Sequence, residues 1–409
     1  MEIVLVDARS GLLEAVRRIR RAAGPDNYLE KVEPIVRDVS SRCYEAVKDY
    51  SERFDGVSFE DPTITRSDAA LYEAYVSEEF LDAAMRIVER VKGYSKALMP
   101  GPVKYNGIRL RWEPIEKVAV YVPGGLNPYP STAIMAVVPA QVAGVREIYV
   151  LTPPCKGCKG KADPRVVVAS FLAGASRVYA VGGPQAIAGV AYACKPLPGV
   201  YKVVGPGSPY VQAAKLLVSH IVGIDMVAGP TELFIIADSS ADPRRLAAEA
   251  MAQGEHGPSS VIVLASPDKS VLAKTRDIIR ESYRRRGSYF APVYLLLTSS
   301  IEEAVKASNL LAPEHLLLET SDPEGLIEEI RNAGIVSIGV PTAYIDYAAG
   351  PSHVLPTSGA ALWRGGLTVY DFLKPVQIVE GLDREALEAA RVMARSEGFK
   401  FHESSMAVG

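Results

Sequence analysis

The side chains best suited to acid–base or metal chemistry lie in widely separated segments of the C-terminal part of this chain. They are Gln253, His256, Glu314, His315, Asp346, Glu397 and His402. Four of the five histidines fall in this region, whereas His220 lies in an apolar helical segment and is assigned to packing. Two imidazoles, a carboxylate and an amide oxygen would make a mixed nitrogen and oxygen site suited to zinc or another first-row divalent ion. Because the segments are far apart in sequence, the fold has to bring them together.

Gln253 and His256 are three residues apart in a predicted helix that begins at Asp242-Pro243 and ends at Gly257. Side chains at this spacing project from one face of a helix, so the two can share a ligand at its last turn. The alternative interpretation is that His256 only interacts with the free carbonyl groups at the helix end.

Glu314 and His315 directly follow Pro313 and directly precede the apolar run at residues 316–318. Since a buried strand follows at once, we expect both side chains at the edge of a sheet, where open α/β sheets bind ligands. A carboxylate beside an imidazole in this position suits general acid–base catalysis. An exposed loop dipeptide is the alternative interpretation.

Asp346, Glu397 and His402 lie in the last part of the chain. Residues 341–359, which include Asp346, are rich in Gly, Pro, Ser and Tyr and are predicted to form a long functional loop. The alternative for Asp346 is a turn residue that bonds only its own backbone. Glu397 ends the final predicted helix, where the helix dipole disfavours a negative charge, so its position indicates a task other than stability. His402 follows five residues later, and a solvated terminal histidine is the alternative there.

Alternating strands and helices have to position these residues. Residues 1–115 are mainly helical and charged, with a helical apolar period from Ile35 to Phe54 that Gly56 ends. From Val118 onward, short β-branched runs alternate with helices of small residues. Predicted strands lie at residues 118–122, 148–152, 177–181, 201–204, 233–238, 261–265 and 293–297. These βα units predict an α/β fold of two Rossmann-like, doubly wound parallel-sheet domains, incomplete and duplicated, with small N- and C-terminal helical appendages.

The same pattern predicts the domain boundaries. Residues 1–30 and 100–117 are expected to form a small N-terminal appendage. Residues 31–99 and 231–365 are expected to form the first α/β domain, which carries most of the candidate site, and residues 118–230 the second. Residues 366–409 are expected to form a C-terminal helical segment that reaches a neighbouring subunit.

Composition excludes several classes of protein. The formal net charge is -3 and no basic stripe occurs, so nucleic acid is not expected as a partner. No basic and apolar leader and no long apolar span are present, so no membrane is expected and the protein is expected to be soluble and cytoplasmic. Four cysteines fit a reducing compartment. Cys43 and Cys194 stand alone, and a zinc ribbon would need a second pair besides Cys155 and Cys158.

Several ordered motifs carry a resemblance to a known family. They are VAVYVPGG (118–125), VGGPQAIA (181–188), VGPG (204–207), IDMVAGP (224–230), QGEHG (253–257), APEHL (312–316) and SHVLPTSG (352–359). With these motifs the chain resembles the histidinol dehydrogenase family from about Val36 to the C-terminus. Enzymes of that family perform the last two oxidations of histidine biosynthesis.

The resemblance implies a role for each candidate residue. The implied ligands of one Zn²⁺ per subunit are Gln253, His256, Asp346 and His402. The implied acid–base pair is Glu314 and His315. The implied substrate contacts are Thr231, Gln253, His256, His315, Asp346, Glu397 and His402. The implied NAD contacts are Tyr121, Gln185 and Ser208.

The resemblance also implies a reaction and an assembly. The reaction is the zinc-dependent, NAD-linked four-electron oxidation of L-histidinol to L-histidine through histidinal. His315 would accept the hydroxyl proton and Glu314 would activate water for the second oxidation, while zinc would orient the substrate. The assembly is a homodimer in which the C-terminal segment crosses over, so that Glu397 and His402 complete the site of the other subunit.

The chain departs from the family pattern at several positions. Thr231 stands where the family commonly has Ser and keeps the hydroxyl, whereas Ser208 stands where an Asn usually follows Gly-Pro-Gly. The loss of that amide predicts a weaker affinity for NAD. The Lys- and Gly-rich residues 155–161 are an insertion outside the motifs. No GxGxxG motif follows a strand, so the glycine turns at 123–125 and 205–207 are the candidates to approach a pyrophosphate.

Two other functions remain open from the sequence. One is a family relative that oxidises another amino alcohol or a sulfonated polyol with the same zinc and NAD. The other is a noncatalytic metal- or imidazole-binding protein that has lost cofactor binding at Ser208. NADH formation with histidinol distinguishes the first alternative, and titration with NAD⁺ distinguishes the second.

Overall fold

The structure is a computed structural model that describes residues 2–22, 28–124, 127–155, 157–158, 160–284 and 290–408. Gly125 of the predicted glycine turn at 123–125 lies outside these residues. The strands are β1 (Ile3–Asp7), β2 (Thr63–Ile64), β3 (Val103–Tyr105), β4 (Ile108–Pro114), β5 (Lys117–Tyr121), β6 (Glu147–Leu151), β7 (Arg177–Tyr179), β8 (Lys202–Val204), β9 (Gly223–Ile224), β10 (Glu232–Ala237), β11 (Val261–Ser266), β12 (Val293–Leu297), β13 (His315–Glu319), β14 (Ile335–Ile338) and β15 (Leu373–Val379). The helices are α1 (Leu12–Ala22), α2 (Tyr28–Arg42), α3 (Tyr44–Asp55), α4 (Ala69–Glu73), α5 (Glu78–Ala97), α6 (Pro130–Ala143), α7 (Pro164–Ala173), α8 (Gly183–Ala191), α9 (Pro209–Val218), α10 (Pro243–Gly254), α11 (Lys269–Arg284), α12 (Ile301–Leu311), α13 (Glu324–Ile327), α14 (Thr342–Tyr347), α15 (Arg384–Ser396) and α16 (Lys400–Val408).

Two sheets, parallel except for strand β2, form the body of the molecule. The first sheet has the strand order β2-β7-β6-β5-β8-β9 and the second has the order β1-β12-β11-β10-β13-β14. The five strands β5–β9 follow each other along the chain in the same spatial order as β10–β14. In both sheets the winding reverses after three strands, which makes each sheet doubly wound. The predicted α/β fold with two duplicated, Rossmann-like parallel sheets is therefore confirmed.

The N-terminal residues differ from their predicted place. Strand β1 pairs in parallel with β12, from Ile3 opposite Val293 to Asp7 opposite Leu297. Helix α1 packs on α12, and its buried Val16 and Ile19 join the core of the second sheet. Residues 3–22 are therefore part of that sheet and not of a separate appendage. The short apolar run at the N-terminus predicts a strand as well as it predicts a loose extension, so only its pairing partner decides.

The helices of residues 31–99 pack against the first sheet rather than the second. Helix α2 packs on α8 and α9, α3 packs on α8, and α5 packs on α6. Val32, Val36, Val39 and Val47 lie in one buried cluster with the side chains of β5, β6 and β8. This region thus shares a core with residues 118–230, and its predicted grouping with residues 231–365 is not what the structure has. An amphipathic helix shows which of its faces is buried but not which sheet covers that face.

Residues 100–117 and the C-terminal segment meet in a small antiparallel sheet of order β15-β4-β3. Helix α15 follows, begins after the N-cap Asp383 and buries only Ala394. Gly398, with a left-handed φ of 81°, leads into α16, a helix that the sequence did not predict. Much of this helical hairpin faces solvent, including Phe401 with 91% of its surface exposed. Among the described helices, none is long and apolar enough to cross a membrane.

The cysteines are paired rather than isolated. Cys43, at the corner between α2 and α3, forms a disulfide with Cys194, which follows α8. The two Cα atoms lie 5.0 Å apart although 151 residues separate them in sequence. Cys155 and Cys158 form a second, local disulfide. The expectation that Cys43 and Cys194 stand alone is wrong, because the packing of α2 and α3 on α8 brings them together.

Candidate active site

Glu314 and His315, the predicted acid–base pair, lie where strands of the second sheet begin. His315 is the first residue of β13, and it lies opposite Leu233 of the neighbouring strand β10. Both strands are interior strands of the sheet. The pair therefore lies at the amino ends of the strands, and not at the carboxyl edge where open α/β sheets usually bind ligands. The reason is that Glu314 directly precedes β13 and His315 is its first residue, so both lie at the edge where the strand begins.

Gln253 reaches the same edge from α10. This helix ends at Gly254, so Gln253 lies in its last turn, whereas His256 lies just beyond the helix and is exposed. Gln253 is 1% exposed, and its Nε2 atom donates to Asp346 Oδ2 at 2.7 Å and to Thr342 Oγ1 at 3.1 Å. Its Oε1 atom is buried without a hydrogen-bond partner among the described residues. A buried acceptor in this state fits a metal or a substrate donor.

Asp346 contacts both Gln253 of α10 and His315 of β13. It lies in the short helix α14, and not in the irregular loop that the sequence predicted. Its Oδ1 atom is 3.2 Å from His315 Nε2, while its Oδ2 atom accepts the Gln253 amide. Thr342, at the start of α14, donates its backbone N–H and its hydroxyl to the buried Glu249 of α10. Helix α14 is thus fixed to α10, which holds the Asp346 carboxylate between Gln253 and His315.

Burial and the Asp346 carboxylate shift the pKa values of Glu314 and His315. Burial raises the pKa of Glu314 to about 8. The Glu314 carboxyl accepts one hydrogen bond, from the Glu232 backbone N–H to Oε2 at 3.0 Å. Burial opposes the charged form of His315, but the hydrogen bond with Asp346 and the charge of Glu314 outweigh it and raise its pKa. For Asp346 burial is likewise outweighed by the His315 hydrogen bond, and its pKa is lowered.

One ring nitrogen of His315 is available to a substrate. The Nδ1 atom is buried and has no hydrogen-bond partner among the described residues. Because the Asp346 carboxylate only accepts, the Nε2 atom carries the proton of the neutral ring and Nδ1 keeps a lone pair. The arrangement can therefore accept a proton at His315 Nδ1 and hold the resulting imidazolium against Asp346.

Two residues at this edge, the half-buried His353 and the buried Glu232, were not predicted as site residues. His353 places Nδ1 at 2.5 Å from the Asp346 carbonyl oxygen and Nε2 at 3.0 Å from Thr132 Oγ1. Since a carbonyl only accepts, Nδ1 carries the proton and the Thr132 hydroxyl donates to Nε2. Glu232, whose pKa burial raises to about 7, accepts the Ser358 N–H at 2.9 Å. The histidine in the motif at residues 352–359 was the available signal for His353.

The remaining predicted site residues are not all brought together within one chain. Thr231 immediately precedes β10 and is half-buried beside Glu232. Glu397 and His402 lie on the exposed C-terminal hairpin, where the His402 ring packs on Phe399 with ring centroids 5.2 Å apart. Within the ranges that the structure describes, no group of three or more His, Cys, Asp or Glu residues could hold a metal ion. Of the predicted ligands, Gln253 and Asp346 are joined by a hydrogen bond, and His402 lies on the exposed hairpin.

The predicted cofactor residues lie at the carboxyl edge of the first sheet. Tyr121 ends β5 and the Gly205–Ser208 turn follows β8, so both flank the point where the winding of the sheet reverses. The Tyr121 hydroxyl accepts the Gly183 N–H at 3.1 Å, and burial raises its pKa to about 12, which keeps it neutral. Tyr121 therefore holds the first turn of α8 in place through this hydrogen bond.

Gln185 and Ser208 line one cavity of about 560 Å³. Gln185 is 0% exposed, and neither of its amide atoms has a hydrogen-bond partner among the described residues. The other walls come from the starts of α8 and α9 and from α2 and α3. They include Lys31, Pro34, Ile35, Tyr50, Arg53, Phe54, Asp55, Gly183, Pro184 and Tyr210. A cavity with a buried free amide and two helix N-termini is suited to a polar, anionic ligand.

Known proteins are similar to this chain in sequence and in fold. The family model for histidinol dehydrogenase matches residues 18–408. Histidinol dehydrogenase of Thermus thermophilus is 42% identical over 415 residues, which cover 95% of this chain and 97% of the relative. That of Sulfolobus acidocaldarius is 41% identical over 385 residues, which cover 92% and 94% of the two chains. The crystal structure of histidinol dehydrogenase from Elizabethkingia anophelis has a TM-score of 0.87 at 28% identity and covers 94% of this chain and 92% of that one. This chain therefore belongs to the histidinol dehydrogenase family of oxidoreductases.

Proposed function

We propose that this protein oxidises L-histidinol to L-histidine in two NAD⁺-linked steps through histidinal, the last step of histidine biosynthesis. The observation that carries this proposal is that Asp346 contacts two side chains, each with a buried atom that has no hydrogen-bond partner among the described residues. These atoms are His315 Nδ1 and Gln253 Oε1. His315 can act as a base and Gln253 Oε1 as a metal ligand, and the Asp346 carboxylate contacts both side chains. This arrangement suits the oxidation of an alcohol that also carries an imidazole and an amine. The named relatives are histidinol dehydrogenases, and they cover almost the whole chain.

His315 is the base in the proposed first step. Neutral His315 takes the hydroxyl proton of the substrate at Nδ1. Bound NAD⁺ would accept the hydride from the carbon that carries this hydroxyl. The resulting imidazolium remains hydrogen-bonded to Asp346 through Nε2. That contact, at 3.2 Å, raises the pKa of His315, and the raised pKa favours proton uptake.

Glu314 is the proposed base for the water that enters in the second step. It lies at the same amino edge as His315 and is buried, with its pKa raised to about 8. A carboxyl with a pKa near neutral can both release a proton and take one up during turnover. The hydrogen bond from the Glu232 backbone N–H holds the Glu314 carboxyl in place.

The proposed zinc ligands are Gln253, His256, Asp346 and His402. The donor set fits, because an amide oxygen, a carboxylate and two imidazoles match the coordination of zinc, and Gln253 Oε1 is buried without a partner in the described part of the chain. Bound zinc would fix the imidazole and amine of the substrate. Gln253 and Asp346 are already joined by a hydrogen bond, which orients both ligands before the metal binds.

A second subunit would complete the site. His402 and Glu397 are exposed on the C-terminal hairpin of their own chain, and α15 buries only Ala394. A homodimer in which this hairpin crosses over would supply His402 to the metal and Glu397 to the substrate. Exposed Phe399 and Phe401 would become buried in the same contact.

The cavity at Gln185 and Ser208 is the proposed site for NAD⁺, with Tyr121 beneath it. NAD⁺ would accept the two hydride equivalents, one molecule in each step. The starts of α8 and α9 open onto this cavity, and helix N-termini favour pyrophosphate. Thr132, in the helix that follows β5, contacts His353 beside Asp346. This contact joins the carboxyl edge of the first sheet to the amino edge of the second, as transfer between cofactor and substrate requires.

The decisive experiment measures NADH formed per L-histidinol consumed by the zinc-loaded protein. The proposal expects two NADH per histidinol and L-histidine as the product. One NADH, with histidinal released, would contradict the four-electron reaction. No NADH from histidinol together with turnover of another amino alcohol or a sulfonated polyol would favour the other enzymatic assignment.

A further inference from the structure

A buried ion pair lies directly behind the turn that joins β8 to α9. Lys215, on α9, and Asp225, which follows β9, both have side chains that are 0% exposed. The Lys215 ammonium contacts Asp225 Oδ1. A buried ion pair adds little net stability, since the cost of desolvation offsets the attraction between the charges. The contacts of this ion pair therefore indicate its role better than its contribution to the stability of the fold does.

Both ions act on one residue of the turn, Gly205. The Gly205 N–H donates to Asp225 Oδ2 at 2.7 Å, and Lys215 Nζ donates to the Gly205 carbonyl oxygen at 2.9 Å. Opposite charges thus fix the peptide planes on both sides of Gly205. Its φ is 111°, and a Cβ atom there would lie 2.3 Å from the Tyr121 carbonyl oxygen, so only glycine fits.

The carboxylate of this pair is itself anchored. The Met226 N–H donates to Asp225 Oδ1 at 2.7 Å. The Arg364 guanidinium donates to the Asp225 carbonyl oxygen and also to Asp371 Oδ1, the latter at 2.9 Å. Asp225 is therefore held from its own backbone and from a distant segment of the chain.

We propose that Lys215 and Asp225 are positioning residues for the dinucleotide, which they orient by holding the 205–208 turn against Tyr121. This inference rests on the proposed function, because it requires that the cavity at Gln185 and Ser208 takes NAD⁺. The turn ends at Ser208, which lines that cavity. Without the ions the Gly205 peptides are free to rotate, so the turn presents Ser208 in several orientations and NAD⁺ binds less tightly.

The test removes both charges together, because a single buried charge would be left unpaired. The variant Lys215→Met with Asp225→Asn is compared with the unchanged protein in the zinc-loaded state. We expect the calorimetric Kd for NAD⁺ to increase about tenfold, the effect of about one lost hydrogen bond. The KM for NAD⁺ should increase in parallel while kcat stays within about twofold, because the substrate end of the site is untouched. The zinc content and the Kd for histidinol should not change.

Lys202 provides the matched control. It is a mostly buried lysine on β8, the strand that leads into the turn, but its Nζ atom donates to the Asp371 carbonyl oxygen at 2.6 Å. Lys202→Met should therefore increase the Kd for NAD⁺ much less than the double variant does. An equal loss of NAD⁺ affinity in this variant would overturn the inference, because the effect would then follow from removing any buried lysine.

A second variant keeps the test decisive if the double variant does not fold. Lys215→Gln with Asp225→Asn removes both charges but keeps polar side chains at both positions, and it should also weaken NAD⁺ binding. An unchanged Kd for NAD⁺ in the folded variants overturns this inference alone. Failure of the unchanged protein to bind NAD⁺ with zinc and histidinol present overturns the proposed function, and this inference with it.

Discussion

The Nε2 atom of His315 lies 3.2 Å from Oδ1 of Asp346, although one residue opens a buried strand and the other lies in a short helix. The same carboxylate accepts the Gln253 amide through Oδ2. One side chain therefore sets the tautomer of the proposed base and the orientation of a proposed metal ligand. Substitutions around Asp346 should separate these two effects.

His315→Asn should abolish most turnover without loss of metal. The substitution removes the ring nitrogen that takes the substrate proton, so kcat should fall by roughly 100- to 10,000-fold, the usual contribution of a general base. Metal analysis of the purified variant should give the zinc content of the unchanged protein. A metal-free His315→Asn protein would mean that His315 is a ligand.

His256→Asn is the matched comparison for that variant. It removes a proposed zinc ligand that lies just beyond α10. Zinc content and turnover should therefore be lost together, and added zinc should restore little activity. Full zinc content in this variant would exclude His256 from the ligand set.

Turnover of histidinal should depend on the protonation of Glu314. Burial raises the pKa of Glu314 to about 8, and the form that activates water is the carboxylate. The population of that form increases as the pH rises, so kcat should increase about tenfold per pH unit below that pKa and become constant above it. Steady-state rates with histidinal between pH 6 and 10 measure this. Glu314→Gln should lose this pH dependence, and a midpoint near the ordinary pKa of a glutamate would contradict the assignment.

Mixing two inactive variants should restore activity if the C-terminal hairpin crosses between subunits. In a hybrid dimer of His315→Asn and His402→Asn, one site carries both defects and the other carries neither. Random exchange of equal amounts should therefore restore about a quarter of the activity of the unchanged protein, because half of the dimers are hybrids with one intact site. Refolding each variant alone is the control. No recovery from verified hybrids would show that His402 acts within its own chain.

Loss of the disulfide between Cys43 and Cys194 should lower the stability of the first sheet. This bond closes a loop of 151 residues, so its removal should reduce the free energy of unfolding by about 2–4 kcal/mol. Denaturant unfolding of the double alanine variant measures the change. The double alanine variant at Cys155 and Cys158, which are only 3 residues apart, is the control and should change less. Equal stability of both variants would contradict this expectation.

The sequence predicted the sheets well because their strands are local features. Each β-branched run from Val118 onward became a strand, and the helix that begins at Pro243 was predicted from Asp242, whose side chain does accept the Arg244 N–H. The pairing of residues was harder to predict. Neither the docking of β1 on β12 nor the packing of α2 on α8 has a local signal, because both depend on which apolar surfaces meet.

Three of the predicted site residues lie together in the structure, but their geometry was not predicted. The motifs around Gln253, His315 and Asp346 identified three side chains that the structure joins by hydrogen bonds. That Asp346 lies in a helix, and that His353 connects it to Thr132, had no periodic signal in a segment rich in Gly and Pro. The C-terminal histidine stays a prediction, since its proposed partner lies on another chain.

The docking of β1 against β12 has a consequence for synthesis on the ribosome. Residues 3–7 leave the exit tunnel long before residues 293–297, with which they pair. The strands of the first sheet lie between Thr63 and Ile224, so that sheet can form while the second is still being translated. The second sheet is completed only when these two segments meet, and until then β1 lacks its partner strand β12.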